Sequence, residues 1–382
     1  MNQSPRIGIV ANEVSGDQLA AALIQALKAK RPELQFEGMT GPQMEAEGCR
    51  SLAGMDPVMG LVEVLKHLPR LLSVRRQLYS HFSDDPPALF VGVDAPDFNL
   101  ALEARLKAAG VKTAHFVSPT VWAWRQGRAK KLRRAVDLML CIFSFEPDFL
   151  RGYQVPAVYV GHPLADEIPM QPLDARTQRS QLDMDPVRPA IALLPGSRMS
   201  EVSRLADDFI KTAQWCLRQR PDLQFVTPLV NDRIRQVYEQ RIAALAPDLP
   251  ITLLDKQPRQ AIQAAEVVLT ASGTATLEVL LMKRPMVVAY RLSLLTYWMI
   301  KYFNLLKIPY VSIANLLADE PLAPEYMQHE CRPEKLGPAL LAFLDSPERC
   351  AEIATAYRKI HESLRCNAAE RAADAVLELI DE

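Results

Sequence analysis

The stretch Ala264-Ala265-Glu266-Val267-Val268-Leu269-Thr270-Ala271-Ser272-Gly273-Thr274-Ala275-Thr276-Leu277-Glu278 reads as a buried strand that turns tightly through a glycine and opens a helix. The free amides at such a helix start attract phosphate, by hydrogen bonding and through the helix dipole. Glu278 lies one turn inside the helix, on the same face as Thr274, in reach of a ribose. A diphosphate beside a ribose diol is the footprint of a nucleotide sugar. Taken alone, the same residues also fit a plain strand–turn–helix joint carrying a surface glutamate.

Outward from this stretch, short apolar runs alternate with amphipathic segments along almost the whole chain. That alternation predicts parallel sheets wrapped by helices. In the first half the expected strands are Ile7–Val10, Gln35–Gly38, Ala88–Val93, Thr113–Val117, Leu138–Ile142 and Ala157–Val160. Helical patterns such as Gln18–Lys30, Leu100–Ala109 and Gly127–Arg134 lie between them. Ile168–Pro189 is rich in Pro, Asp and Arg and reads as a linker with a short helix. A second series follows, with strands at Ala190–Leu194, Phe225–Leu229, Thr252–Leu254, Val267–Thr270 and Met286–Ala289. The tail, Pro347–Glu382, reads as one or two helices. Two successive α/β halves imply a cleft between them, with ligands beyond the carboxyl ends of the strands. Neither half carries Gly-x-Gly-x-x-Gly or a Gly-Lys-Ser/Thr P-loop, which argues against hydride transfer and ATP hydrolysis.

A chain of 382 residues is too long for one ordinary core. A net charge of −1 argues against a dedicated nucleic-acid binder. The six cysteines are scattered, so neither a disulfide framework nor a zinc site is expected. The first residues run straight into a strand without a signal-peptide pattern, and no apolar stretch reaches the roughly 18 residues that span a bilayer. The expected location is the cytoplasm.

Several strand ends carry residues suited to chemistry. The first ends at Ala11-Asn12-Glu13-Val14-Ser15-Gly16-Asp17, where Ser15 is expected to cap a helix, Gly16 admits close approach, and Glu13 faces the cleft. Another ends at Asp94-Ala95-Pro96-Asp97-Phe98-Asn99. A carboxylate held there by a proline suits a general base toward a sugar hydroxyl, a role assigned to Asp97, with Asp94 structural. No third oxygen-ligand cluster accompanies the pair, so no metal site is expected. The Ser118–Arg125 loop offers Trp122, Trp124 and Arg125 for a sugar face, a phosphate or plain packing. Beyond it Arg128, Lys130, Lys131, Arg133 and Arg134 form a basic face, either solvated or toward anionic lipid.

In the second half Pro195-Gly196-Ser197-Arg198 is a glycine turn followed by an arginine, suited to offset charge on a leaving diphosphate. With Ser272–Glu278 it makes two phosphate-friendly loops on neighbouring strands. Two segments are also apolar enough for a membrane interface. One is Val58–Leu78, with Leu61, Val64, Leu65, Leu68, Leu71 and Leu72 at helical spacing among basic residues. Pro69 is expected to kink or divide that helix. The other is Arg291–Ile308. Core packing is the competing explanation for both stripes.

These residues together resemble the lipid-A-disaccharide synthase family, membrane-associated glycosyltransferases of the B type. The resemblance covers nearly the whole chain. It is carried by Ser15-Gly16-Asp17, Asp94–Asn99, Val117–Arg125, Gly161-His162-Pro163-Leu164, Leu193–Arg198, Ser272–Glu278 and Asn315-Leu316-Leu317. The chain departs from the family pattern at Asn12-Glu13-Val14, where Gly-Glu-Thr is usual, and at Asp319, where Gly is usual.

The resemblance implies two Rossmann-like domains facing a central cleft. The first, residues 1–167, would bind acceptor and lipid and be completed by the C-terminal helix 357–382. The second, residues 168–356, would bind the UDP-sugar. The implied reaction is inverting, independent of metal and without a cofactor. It joins UDP-2,3-diacylglucosamine to 2,3-diacylglucosamine 1-phosphate, giving a β-1,6-linked disaccharide 1-phosphate and UDP in lipid A biosynthesis. Asp97, with Glu13, would be catalytic. Gly196, Ser197, Arg198, Ser272, Gly273, Thr274, Ala275, Glu278 and Asn315 would serve the donor. Ser15, Gly16, Asp17, Trp124 and Arg125 would lie on the acceptor side. The acyl chains give the apolar stripes a purpose, with the protein peripheral on the cytoplasmic face of the inner membrane, as a monomer or a homodimer. The rival readings are another nucleotide-sugar enzyme of the same fold, such as a peptidoglycan N-acetylglucosaminyltransferase or a UDP-sugar epimerase, and a membrane-surface scaffold without activity.

Overall fold

The computed structural model describes residues 5–54, 61–123, 126–293, 302 and 309–382, without the side chains of 61–68 and 126. Two compact units account for the chain. Met1–Asp166 joins with Leu364–Glu382, and Glu167–Ser363 forms the other.

The first unit is built on seven parallel strands: β1 (Arg6–Ala11), β2 (Gln35–Thr40), β3 (Arg50–Gly54), β4 (Leu89–Val93), β5 (Thr113–Phe116), β6 (Leu138–Cys141) and β7 (Ala157–Tyr159). Their order is β3-β2-β1-β4-β5-β6-β7, and every neighbouring pair is parallel. The second unit holds β8 (Ala190–Leu194), β9 (Gln224–Leu229), β10 (Ile251–Asp255), β11 (Val267–Ala271), β12 (Met286–Tyr290) and β13 (Glu325–Met327). Their order is β10-β9-β8-β11-β12-β13, again parallel throughout. The central strands β4, β8 and β11 are buried along their whole length, as an apolar run covered on both faces must be. In both sheets the strand order reverses once, between β1 and β4 and between β8 and β11. Ligands of doubly wound folds gather at the carboxyl ends of such strands.

Strands β3 and β13 are absent from the sequence-based expectation. Both are edge strands, and Arg50-Ser51-Leu52-Ala53-Gly54 and Glu325-Tyr326-Met327 lack the continuous apolar run of a central strand. Pro69 does not divide its helix, which runs from Leu61 to Asp84. Pro69 and Arg70 are exposed, so water can serve the carbonyl that the missing N–H leaves free. The later half of this helix packs Leu78 and Phe82 against Val10, Met39 and Phe90, with Leu71 and Val74 along the same face. Leu71 and Leu72, both expected at a membrane, are half-buried, and Leu71 packs against the core cluster. The helix after β1 starts at Val14 and its N-cap is Glu13, which corrects the cap expected at Ser15.

The C-terminal tail is two helices, Pro347–Leu364 and Ala368–Asp381, separated where Asn367 takes the left-handed conformation at φ 56°. The tail rejoins the first unit at Leu364, seven residues later than the expected start at 357. Its docking point is the Gly161-His162-Pro163-Leu164 string. The His162 amide donates to the Leu364 carbonyl at 2.9 Å. A Cβ on Gly161, at φ +96°, would meet Cys366 Cβ at 2.5 Å. Asp166 then accepts from the Asn367 and Ala368 amides at 2.9 and 2.6 Å. Among the described residues no helix is long and apolar enough to cross a membrane.

Candidate functional site

In the first unit, Ala11 of β1 lies in register with Val93 of β4, so the residues after them emerge side by side at the switch point. Those residues are Asn12 and Glu13 on one side and Asp94 to Asp97 on the other. Glu13 and Ser15 are exposed at the helix start, and Gly16 lets the helix sit against Ala11 and the Val93 carbonyl. Asp97 is exposed in the first turn of the helix Pro96–Ala108.

The backbone around Asp97 is strained. Asp94 (φ 52°), Ala95 (φ 42°) and Val117 (φ 79°) all lie in the left-handed region, at the ends of neighbouring strands β4 and β5. A β-branched residue there is a strong outlier, and each such residue costs about 1–3 kcal/mol. The surroundings hold this conformation in place. The Asp94 amide donates to the Phe116 carbonyl at 2.8 Å and the Val117 amide to the Leu140 carbonyl at 3.1 Å. Buried Asn99 donates through Nδ2 to the Asp94 and Val93 carbonyls at 2.8 and 3.2 Å, with a longer 3.4 Å contact to Val10. Sequence reasoning gave Asn99 no role. The signal available was an amide facing inward one turn from the proline.

Asp17, expected on the acceptor side, is buried. Its carboxylate accepts from the Gly41, Gln43 and Met44 amides at 3.0–3.1 Å and anchors the short helix Pro42–Ala46. That is structural work, and it corrects the expectation of a ligand contact. Trp124, Arg125 and, apart from Tyr302, residues 294–308 of the second apolar segment lie outside the described residues. Trp122 is buried and donates from Nε1 to Glu146 at 3.1 Å, which assigns it to packing. Glu146 also accepts from the Ile142 and Phe143 amides at 3.1 and 3.0 Å, and burial pushes its carboxyl up to about 7.

In the second unit the two expected phosphate loops emerge beside each other at the ends of β8 and β11, where Leu194 is in register with Thr270. The loops differ in what they offer. The Ser197 and Arg198 amides are already taken by the Glu201 carboxylate, at 3.1 and 3.3 Å. A Cβ on Gly196, at φ +118°, would strike that carboxylate at 2.6 Å. The glycine therefore admits the protein's own anion, and what the loop turns to solvent is the Arg198 side chain, 77% exposed and 3.6 Å from Glu201 Oε1.

The Ser272–Ala275 turn is open. Gly273 caps the helix Thr274–Leu281 at φ +136°, with free space where a side chain would be. The Thr274 and Ala275 amides, at the first two helical positions, have no carbonyl one turn back. Glu278 is 19% exposed and faces Arg259, Nε to Oε1, at 3.5 Å. Burial raises its carboxyl, and the guanidinium opposes that.

Asn315 belongs to the support of this turn. It is fully buried and donates from Nδ2 to the Ala323 carbonyl and Glu325 at 2.7 and 2.9 Å, while Oδ1 accepts from the Ala323 amide at 2.8 Å. Glu325 in turn accepts from the Val311 and Ser312 amides, both at 2.9 Å, and Ser272 Oγ donates to the Val311 carbonyl at 3.5 Å. Asn315 thus spends its amide on the chain, correcting the expectation of a direct donor contact. Asp319, where the family pattern has Gly, sits at φ +53°, a region that glycine enters freely and Asp tolerates. Among the described residues no group of three or more His, Cys, Asp or Glu side chains could hold a metal ion.

The fold is that of B-type glycosyltransferases and related UDP-sugar enzymes. It resembles the UDP-GlcNAc 2-epimerase of Neisseria meningitidis bound to UDP-GlcNAc, with a TM-score of 0.65 and 11% identity over 98% of this chain and 99% of that one. It also resembles the calicheamicin glycosyltransferase CalG4, with a TM-score of 0.58 and 16% identity over 100% and 99%. The description of the family "Lipid-A-disaccharide synthetase" matches residues 7–379. The lipid-A-disaccharide synthase of Hahella chejuensis is 48% identical over 378 residues, 98% of this chain and 94% of that one. The one from Pseudoalteromonas translucida is 49% identical over 98% and 97%. The chain belongs to the lipid-A-disaccharide synthase family, glycosyltransferases of lipid A biosynthesis.

Proposed function

We propose that the chain joins UDP-2,3-diacylglucosamine to 2,3-diacylglucosamine 1-phosphate, forming the β-1,6-linked disaccharide 1-phosphate and UDP. Asp97 takes the proton from the acceptor's 6-hydroxyl as that oxygen bonds to the donor's anomeric carbon. The bond from that carbon to UDP breaks on the opposite face, through an oxocarbenium-like transition state. The Thr274 and Ala275 amides and the Arg198 guanidinium take up the charge growing on the departing diphosphate. Glu278 holds the ribose hydroxyls. Glu13 is the second catalytic candidate beside Asp97, and Ser15, Trp124 and Arg125 serve the acceptor side.

One observation carries this reading. The base candidate and the open phosphate turn each stand at the switch point of a parallel sheet, one in each unit. Turnover of diacylated against unacylated UDP-glucosamine tests it. Product should form with the diacylated donor, and equal rates with both would remove the lipid from the reading. Thermal stabilisation by UDP separates an enzyme from a scaffold, which would show none.

The acyl chains bring the work to the cytoplasmic face of the inner membrane, with the protein bound peripherally. Lys130, Lys131, Arg133 and Arg134, all exposed on the helix Ala129–Ala135, suit anionic headgroups. Leu72 stands outside the core cluster and, with Leu68, is the apolar contact to test. Leu68→Ser with Leu72→Ser should lower recovery with membranes and leave circular dichroism unchanged. Undiminished recovery rejects the apolar contact.

A further inference from the structure

We infer that Arg259 is a positioning residue for the donor, fixing the Glu278 carboxylate for the two ribose hydroxyls. The inference rests on the reading of Ser272–Glu278 as the nucleotide site. Arg259 is the second residue of the helix Pro258–Ala264, away from every motif that marked the site in the sequence. Its Nη1 and Nη2 donate to the two oxygens of Glu167 at 2.6 and 3.0 Å. A two-pronged contact of this kind fixes the plane of the guanidinium as well as its position. The remaining edge, Nε, is thereby aimed at Glu278 Oε1, 3.5 Å away.

That distance brings charge to Glu278 without consuming its acceptor capacity, since a hydrogen bond of full strength is shorter. Among the described residues the Glu278 carboxylate accepts no hydrogen bond, and Arg259 is its ion-pair partner. Both its oxygens can therefore accept from a diol, one hydroxyl each. The charged groups facing Glu278 are Arg259 and, beyond it, Glu167. Burial and Glu167 both favour the protonated form of Glu278, and only Arg259 opposes them. A protonated carboxyl would lose half of its bidentate acceptance. The cation thus keeps the carboxylate charged in a half-buried place and holds it in one orientation. A lysine would supply the charge but not the fork.

The test compares binding of UDP and 2′,3′-dideoxy-UDP by calorimetry between pH 6 and 9. Wild type should prefer UDP by at least about tenfold, because hydrogen bonds to a charged acceptor are the strong ones. In Arg259→Gln the preference should shrink to less than about threefold at the acid end of that range and recover as pH rises, because burial raises the Glu278 carboxyl and the opposing cation is gone. Arg259→Lys should retain part of it. Glu167→Gln, which loosens the fork but leaves the cation, should give an intermediate preference and serves equally if Arg259→Gln does not fold. An unchanged preference in both Arg259→Gln and Glu167→Gln, or an equal, pH-independent loss for both ligands, would overturn the inference. Retained preference in Glu278→Gln would instead overturn the ribose reading beneath it.

Discussion

His115 Nδ1 and Glu103 Oε1 meet at 2.7 Å, with neither side chain exposed at all. Glu103 sits on the helix that carries Asp97, and His115 lies two residues before the strained Val117. The backbone of Gly92 on β4 packs against the same carboxyl. A Cβ on Gly92 would strike Glu103 Oε1 at 2.0 Å, so the strand is shaped around the pair. Burial pushes the Glu103 carboxyl up and the imidazole pulls it back. The pair fastens the helix Pro96–Ala108 to both strands whose ends hold unfavourable backbone.

Removing one partner leaves the other polar and buried. Glu103→Ala should cost about 3–5 kcal/mol in urea unfolding. The double variant Glu103→Met with His115→Leu should recover much of that loss, because an apolar pair of similar volume needs no partner. A double variant as unstable as the sum of the single changes would show that the pair is not one unit.

Asp97→Asn keeps the shape of the side chain and removes the proton acceptor. Turnover should fall by about 10²–10⁴-fold, the usual contribution of a general base. UDP affinity should stay within about twofold, since the donor residues lie on the other sheet. Near-normal turnover would transfer the role to Asp94 or Glu13.

Gly196→Ala adds a methyl group 2.6 Å from the Glu201 carboxylate, at a φ of +118° that alanine disfavours. The expected cost is about 1–3 kcal/mol, read from the thermal midpoint. If crowding against the carboxylate contributes, Glu201→Ala in the same chain should return part of the loss. No recovery would assign the whole cost to the backbone.

Stability should respond to pH through two groups of the first unit acting in opposite directions. Glu146, pushed up to about 7 by burial, keeps in the folded state a proton that the unfolded chain gives up near 4.5. Its contribution is full below pH 4.5 and is lost as pH rises through 7. His162, pushed down to about 4 by burial, contributes fully above 6.5 and loses that as pH falls toward 4. The difference between wild type and Glu146→Gln in denaturant titrations at pH 5, 6, 7 and 8 isolates the first group. That difference should change between pH 5 and 7 and level off at 8. Trp122, whose indole N–H donates to Glu146, should report the same transition in its emission. A difference flat across all four pH values would show that Glu146 does not titrate there.

The central strands were legible in the sequence because burial on both faces forces continuous apolar runs, as in Leu89–Val93 and Val267–Ala271. Of the four edge strands, β7 and β10 were legible as short apolar runs, while β3 and β13 were not, since they answer to water on one side and carry mixed residues. Strand-end residues such as Asp97, Arg198 and Gly273 stood out by type and position. The residues that support them did not. Asn99, Glu201, Arg259 and Glu325 resemble ordinary polar residues until the chain brings their partners from 3 to more than 90 positions away. The same blindness ran the other way for Asp17 and Asn315. Both stand in family strings, and both turn inward to satisfy backbone amides or carbonyls.

The tail from Leu364 onward has a consequence for how the molecule is made. A ribosome delivers the middle of this chain, Glu167–Ser363, as an uninterrupted length that can complete its own sheet on emerging. The part made first must wait, its helix Val14–Lys30 without the Lys30 contacts to Glu370 and Asp374 and its Asp166 with no amides to receive, until residues 364–382 follow. The half that carries Asp97 is begun first and finished last. Early release of the nascent chain would harm the end of the sequence farthest from the break.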